Sequence, residues 1–292
     1  MEVSCWYQSL KFMNLDFLLI AIGTDNRASS RLRIHNLNQE LRRSYSCKVI
    51  SLFNRGDNFR NKIKRLIKSY LNIFKLSWIS KNIIVQESIM SFYFIFFICK
   101  FLKFKKTNIF FDFSDPIDIR NSKYLNKFLF DKIIELADFL IFESPCYLKK
   151  IKKLRKKDYF LLLGPSNFKK NSLITKKKFN IGWIGTPNKY EKAKNILQDI
   201  NLKVTNNNKG NNDISVLIVG ASFREKSSTK NIKFLKWSRE NEKFFLDQVD
   251  LGLYIGNEQD LNKFHGCGKL SEYMNAGIPT IAIWSLSAEY YI

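Results

Sequence analysis

Histidine is nearly absent from this chain, which holds only His35 and His265. A multi-histidine metal site is therefore excluded, and a histidine general base has two candidates at most. The five cysteines, Cys5, Cys47, Cys99, Cys146 and Cys267, are odd in number, scattered and without a C-x-x-C pair. That pattern argues against a disulfide framework and a zinc knuckle, and a reducing cytosol fits it best. No apolar run reaches the roughly 18 residues of a spanning helix. The longest, 89–99, is broken by Ser91 and then meets Lys100, Lys103, Lys105 and Lys106. It reads either as a buried helix or as an interfacial one with a basic end. The N-terminus is a poor signal peptide, with Glu2, Asp16 and no small-residue cleavage site, and Met13 is a second candidate start.

Acidic residues are what the front of the chain lacks most. Residues 1–200 carry 38 Lys and Arg against 16 Asp and Glu, whereas residues 201–292 carry 11 against 10. Nearly all of the net charge of +23 thus belongs to the first two-thirds. Between Pro145 and Lys178 twelve basic residues face one acid, Asp158. Such a field favours a polyanion, either nucleic acid or an anionic membrane surface.

What is present is a regular alternation of apolar runs with helical patterns, the signature of parallel α/β units. Strands are expected near 16–22, 47–52, 83–86, 108–113, 138–142 and 159–163. A second series is expected near 180–184, 214–219, 232–236, 251–255 and 279–284. The expected fold is α/β with two tandem Rossmann-like domains: 1–164, a basic linker over 165–178, and 179–292. Ligands of such sheets sit at the carboxyl ends of the strands.

One window raises a sharper question. In KLSEYMNAGIP, residues 269–279, Leu270, Tyr273 and Met274 recur at helical spacing, and Lys269 with Glu272 shares a neighbouring face. Gly277 and Pro279 stop the helix. Upstream, His265, Gly266, Cys267 and Gly268 form a turn whose backbone can approach a ligand, leading into a helix start that favours anions. The plainer reading is an ordinary loop and helix with an exposed Lys/Glu pair.

Five segments, NIGWIGTPNKY, VLIVGAS, KWSRENE, VDLGLYIGNEQD and GKLSEYMNAGIPTIA, occur in an order and spacing that resembles the nucleotide-sugar domain of family 4 retaining glycosyltransferases, which have the GT-B fold. SSRLRIHNL, IIVQES, IFFDFSDPID and ADFLIFES resemble, more loosely, the first domain of members that build bacterial surface polysaccharides. The resemblance spans about 14 to 284 and is most specific at 269–279. It implies that the helix beginning near Lys269 points at the donor diphosphate, that Glu272 binds the ribose hydroxyls, and that Gly266, Gly268, Lys269 and Leu270 line the donor site. Lys269 and Glu272 are the implied catalytic pair.

The chain also departs from the pattern. The first glutamate of the family's E-x7-E pair would fall at Phe264, and some members of the polysaccharide branch likewise show only K-x-x-E. The arginine common after the first strand of the donor domain is replaced by Thr186, leaving Lys189 or Lys192 as substitutes. Alternatively, Gly185 marks a turn before a helix opened by Thr186 and Pro187, and backbone N–H groups serve instead.

On the acceptor side, Arg31, Arg33 and His35 follow the first strand on a helix opened by Ser29 or Ser30. They would meet an acceptor phosphate in the cleft or form a solvated face. Asp112 and Asp115 are spaced like a metal-binding pair, but strand-end aspartates commonly cap turns, and no metal is expected. Trp237 would stack on a base or pack in the core.

The expected function is a cytoplasmic glycosyltransferase at the inner face of the membrane. It would move a sugar from a nucleotide donor to a lipid-linked or saccharide acceptor with retention, in cell-surface polysaccharide synthesis. The resemblance implies front-face attack without a protein nucleophile, the departing diphosphate taking the acceptor proton. The rivals are a basic nucleic-acid-binding protein, for which no recognised motif is seen, and an inactive GT-B scaffold. Because only SLSAEYYI follows the strand at 279–284, the second domain is expected to be truncated.

Overall fold

The computed structural model describes residues 14–54, 56–86, 107–113, 123–150, 159–161, 178–207, 214–221, 231–256 and 267–283. The chain divides into two compact units with the break between Leu163 and Gly164. In the first, six strands form one sheet: β1 (Leu15–Gly23), β2 (Cys47–Phe53), β3 (Ser80–Gln86), β4 (Asn108–Phe113), β5 (Phe139–Phe142) and β6 (Tyr159–Leu161). Their order is β2-β1-β3-β4-β5-β6, and every pairing is parallel.

Parallel strands need crossovers, and described helices lie in four of these. A helical segment, α1, runs as Ala28–Ser30, a π-helical stretch Arg31–His35 and Asn36–Leu41. It links β1 to β2. A longer helix, α2 (Phe59–Ser77), links β2 to β3, and α3 (Lys123–Leu136) precedes β5. The short α4 (Pro145–Lys150) starts with proline in its first turn, and Ser144 Oγ accepts from the Tyr147 N–H at 3.2 Å. Apolar strand residues face both layers. Leu18, Ile20, Val85, Phe111 and Phe113 bury against Ile73 of α2 and Ile133 of α3, while Leu19, Ala21 and Ile84 bury against Ile34 of α1.

The second unit has five strands: β7 (Phe179–Ile184), β8 (Ile214–Val219), β9 (Ile232–Leu235), β10 (Leu251–Ile255) and β11 (Thr280–Ile283). Their order is β11-β10-β7-β8-β9, again parallel throughout. Its described helices are α5 (Pro187–Asn207), α6 (Arg239–Gln248) and α7 (Gly268–Asn275). All eleven expected strands are present, displaced by three residues or fewer at their ends. The segment 89–99 and most of the basic linker 165–178 lie outside the described residues.

Two glycines decide how closely the helices of this unit approach the sheet. A Cβ on Gly182 of β7 would stand 2.3 Å from Val249 and 2.8 Å from the Phe245 ring of α6. On Gly252 of β10 it would stand 2.9 Å from the Tyr273 ring of α7. Both helices therefore lie directly on backbone, and Phe245 and Tyr273 bring their rings within 6.0 Å of each other. That packing sets α6 beside α7, with consequences for the charges they carry.

Candidate functional site

In the second unit the candidate donor residues gather where strands end and helices begin. At the end of β7, Gly185 donates its N–H to Val219 O at 3.1 Å, and Thr186 O accepts from the Lys189 and Tyr190 N–H groups, opening α5. Pro187 stands in the first turn, as expected of a residue with no N–H to lose there. Thr186, Lys189 and Lys192 are exposed, and Tyr190 turns inward against Trp183. Trp237, the candidate base-stacking residue, is half-buried and packs against the core beside Leu235.

The Lys269 and Glu272 pair is formed, but not as an exposed one. Lys269 Nζ donates to Glu272 Oε2 at 2.5 Å and to Glu242 Oε1 at 2.7 Å. The side chains of Glu272 and Glu242 are only 6% and 13% exposed. Burial works against the lysine charge, yet the two carboxylates outweigh it and hold its pKa above the ordinary lysine value. Lys269 is an ammonium at any working pH. It has three N–H donors, two of them used, and its side chain keeps 26% exposure. One donor is thus left over from the two ion pairs.

Glu242 went unnoticed in the sequence. It sits in the first turn of α6, where Ser238 caps the helix by accepting from the Asn241 N–H at 3.1 Å. The sequence signal was present in KWSRENE, as a cap followed by acids, but nothing local says that its second acid reaches a lysine 27 positions on. That contact depends on α6 lying beside α7.

The helix α7 starts at Gly268, with Cys267 buried at its cap and no side-chain cap bond. Leu270 and Tyr273 are buried as the periodicity required. Met274 is not: it is 49% exposed, because the inward stripe passes through Ser271 and Glu272 instead. Burial, and secondarily Glu272, push the Tyr273 phenol far above its ordinary value, so it stays a neutral hydroxyl. Gly277, with φ of 67°, ends the helix, and Ile278 N–H returns to Tyr273 O at 2.9 Å. His265, Gly266 and Phe264 lie outside the described residues.

In the first unit, Arg31 and Arg33 form no solvated face. They are 8% and 3% exposed. Arg33 grips Asp112 through two nitrogens, with Nε to Oδ2 at 2.6 Å and Nη2 to Oδ1, and donates from Nη1 to Glu143 Oε2 at 3.0 Å. This fork ties the segment after β1 to the carboxyl ends of β4 and β5. Gln86, fully buried at the end of β3, accepts from Ile22 N–H and Ser30 Oγ, and His35 Nε2 lies 3.2 Å from Gly23 O. Both Asp112 oxygens are thus engaged by an arginine, and Asp115 lies outside the described residues. Among the described residues no group of three His, Cys, Asp or Glu is placed to hold a metal.

No family model and no curated protein sequence matches the chain. Solved structures do. HepE of Anabaena, in complex with UDP, aligns with a TM-score of 0.56 at 12% identity, over 95% of this chain and 83% of that one. The UDP-GlcNAc 2-epimerase of Methanocaldococcus jannaschii, in complex with UDP-GlcNAc and UDP, gives 0.55 at 11%, over 94% and 86%. A trehalose-6-phosphate synthase studied for glycosyl transfer with retention gives 0.52 at 11%, over 94% and 85%. The chain has the GT-B fold. At these identities the likeness fixes the architecture of the two sheets and nothing of the chemistry. The GT-B neighbours include a transferase and an epimerase alike.

Proposed function

We propose that this GT-B protein is a nucleotide-sugar-dependent glycosyltransferase. It moves a sugar to a lipid-linked or saccharide acceptor with retention, in the synthesis of a cell-surface polysaccharide. One observation carries the reading: a lysine at the start of α7, locked as ammonium between Glu242 and Glu272 and with one N–H to spare. A diphosphate leaving group gains negative charge as the glycosidic bond breaks, and a preorganised cation at that point stabilises the transition state more than the ground state. Glu242 and Glu272 fix the ammonium in place. The helix start at Gly268 and the Thr186 N–H ahead of α5 supply further N–H groups for the phosphates, and the exposed Lys189 offers a side-chain ammonium.

The resemblance gives Glu272 a second duty, to accept from the ribose hydroxyls. In the structure its Oε2 is engaged by Lys269, so the ribose would meet an anchored carboxylate. Front-face attack needs no group from the chain as nucleophile, and the departing diphosphate takes the acceptor proton. On this reading no metal is needed. Arg31, Arg33 and His35 belong to the acceptor side, with Arg33 acting through the framework it ties together. The protein works at the cytoplasmic face of the membrane. Among the described residues no helix is long and apolar enough to cross a bilayer.

Calorimetry against nucleoside diphosphates, nucleotide sugars and RNA tests the proposal. Saturable binding of a nucleoside diphosphate, weakened by Lys269→Ala, is expected. Tight, salt-sensitive RNA binding with no nucleotide response would overturn it in favour of a nucleic-acid-binding protein. Nucleotide-sugar binding with 2-epimerisation and no transfer would place the protein with the epimerase neighbours instead.

A further inference from the structure

The outer surface of α2 is the reverse of what a helix of a water-soluble protein presents. Its inner face is accounted for: Ser69, Ile73 and Ser77 are buried, and Leu66, Tyr70 and Leu76 pack on the core of the first sheet. The apolar surface continues round the helix onto an exposed side. Phe59 is 77% exposed, Ile67 56%, Leu71 60% and Phe74 52%, and Ile63 and the adjoining Trp78 complete the row. At about 100° per residue these six side chains fall within an arc of roughly 120°.

Charge lines the same surface. The helix carries Arg60, Lys62, Lys64, Arg65, Lys68 and Lys75 and no acid. Arg65 is drawn back to Asp57 at 2.7 Å. Arg60, Lys64, Lys68 and Lys75 follow one flank of the exposed stripe on the same helical count. Apolar residues beside a row of cations with no acid among them describe a helix that lies in a lipid interface, its side chains reaching the acyl boundary and its cations at the phosphate level.

We propose that the outward face of α2 docks this protein on an anionic lipid bilayer. Charge decides among occupants. A second copy would set the same cations against themselves, since the helix has no acid to answer them, whereas an anionic leaflet neutralises them. The inference concerns a surface distant in sequence from the Lys269 site, and it holds whether or not the transferase reading does.

The experiment is flotation of the full chain with phosphatidylcholine vesicles, with and without phosphatidylserine. The paired variant Ile67→Glu with Leu71→Glu replaces two exposed residues, so far-UV circular dichroism and Tm are expected to match wild type. Its vesicle binding is expected to disappear. Lys64→Gln with Lys68→Gln should weaken partitioning onto anionic vesicles about fivefold per charge. UDP binding should be unchanged in both variants, which separates the docking face from the donor site. Wild-type failure to float with anionic vesicles would overturn the proposal, whether a segment of the same chain covers the stripe or nothing does. So would equal flotation of the Ile67→Glu, Leu71→Glu protein. A vesicle-free dimer dispersed by that variant would assign the stripe to a second copy.

Discussion

The two sheets carry ion clusters of opposite temper. In the first unit one arginine, Arg33, is shared by two acids, Asp112 and Glu143, and its side chain is 3% exposed. In the second unit one lysine, Lys269, is also shared by two acids, Glu242 and Glu272, but keeps 26% exposure. The chemistry of the cation fits each setting. A guanidinium is planar and fork-shaped and satisfies a carboxylate through two parallel bonds, so it suits a sealed framework. An ammonium is a point charge with three donors, and the two acids engage two of them. The same net composition therefore makes a strut in one domain and a candidate binding group in the other.

That contrast breaks most readily at Arg33. Arg33→Ala leaves Asp112 and Glu143 facing each other with little water, and removing one partner of a buried pair typically costs about 3–5 kcal/mol. Thermal unfolding should show a large loss of stability, with UDP affinity of the folded fraction unchanged. A variant as stable as wild type would mean that the fork is no strut.

The second substitution should move the other observable. Lys269→Ala is expected to cost about 10²–10³ in transfer rate, the usual loss when one preorganised charge contact is removed from a transition state. Because the carboxylates hold its pKa up, the ammonium and the ion pairs it makes persist in full below the ordinary lysine value. They are lost only as pH rises through the higher folded value. A rate that falls between pH 7 and 9 through deprotonation of this lysine would contradict the assignment. A smaller effect is expected of Glu272→Ala, since Glu242 still holds the lysine: the chain folds, and donor affinity and rate drop by more than twofold. Turnover within twofold of wild type would remove Glu272 from the site. EDTA should leave activity in place, and an absolute need for a divalent cation would return Asp112 to consideration.

How much of this could be seen beforehand follows from what each signal depends on. Strands were legible because each is a short apolar run, such as ISVLIV or IIVQ, buried in a parallel sheet, and burial on both faces is written locally. The Lys269 and Glu272 pair was legible because both partners lie on one helical turn. Glu242 was not, since its reach to Lys269 depends on α6 and α7 both settling onto glycine backbone at Gly182 and Gly252. Arg33 read as a solvated or ligand-facing residue for a similar reason: its partners lie 79 and 110 positions away. The outward stripe of α2 was hidden because periodicity reports that a helix has an apolar face, whereas on α2 that face is wider than the sheet covers, and only burial tells which part is covered.

The smallest expected effect concerns the amino ends of the strands, where both units use an aspartate as a clamp. In the second, Asp250 Oδ2 accepts from the Asn180 N–H at 2.9 Å. In the first, Asp16 Oδ1 accepts from Lys81 Nζ at 2.8 Å, and Oδ2 accepts from the N–H and hydroxyl of Ser46 at 3.0 and 2.8 Å. The Lys81 bond first and the two Ser46 bonds next hold the Asp16 carboxyl down at about 2, below its ordinary 3.8. A depressed carboxyl contributes stability that is present above the ordinary value and is lost as pH falls through the folded one. The clamp should therefore open between about pH 4 and pH 2, a window in which most exposed carboxylates have already begun to protonate. Because the group is at the surface, only a minor part of acid unfolding should depend on it. Carbon-detected NMR titration would locate its midpoint, and Lys81→Ala should move that midpoint upward. A wild-type midpoint near 4 would show that the lysine and serine contacts do not persist in solution.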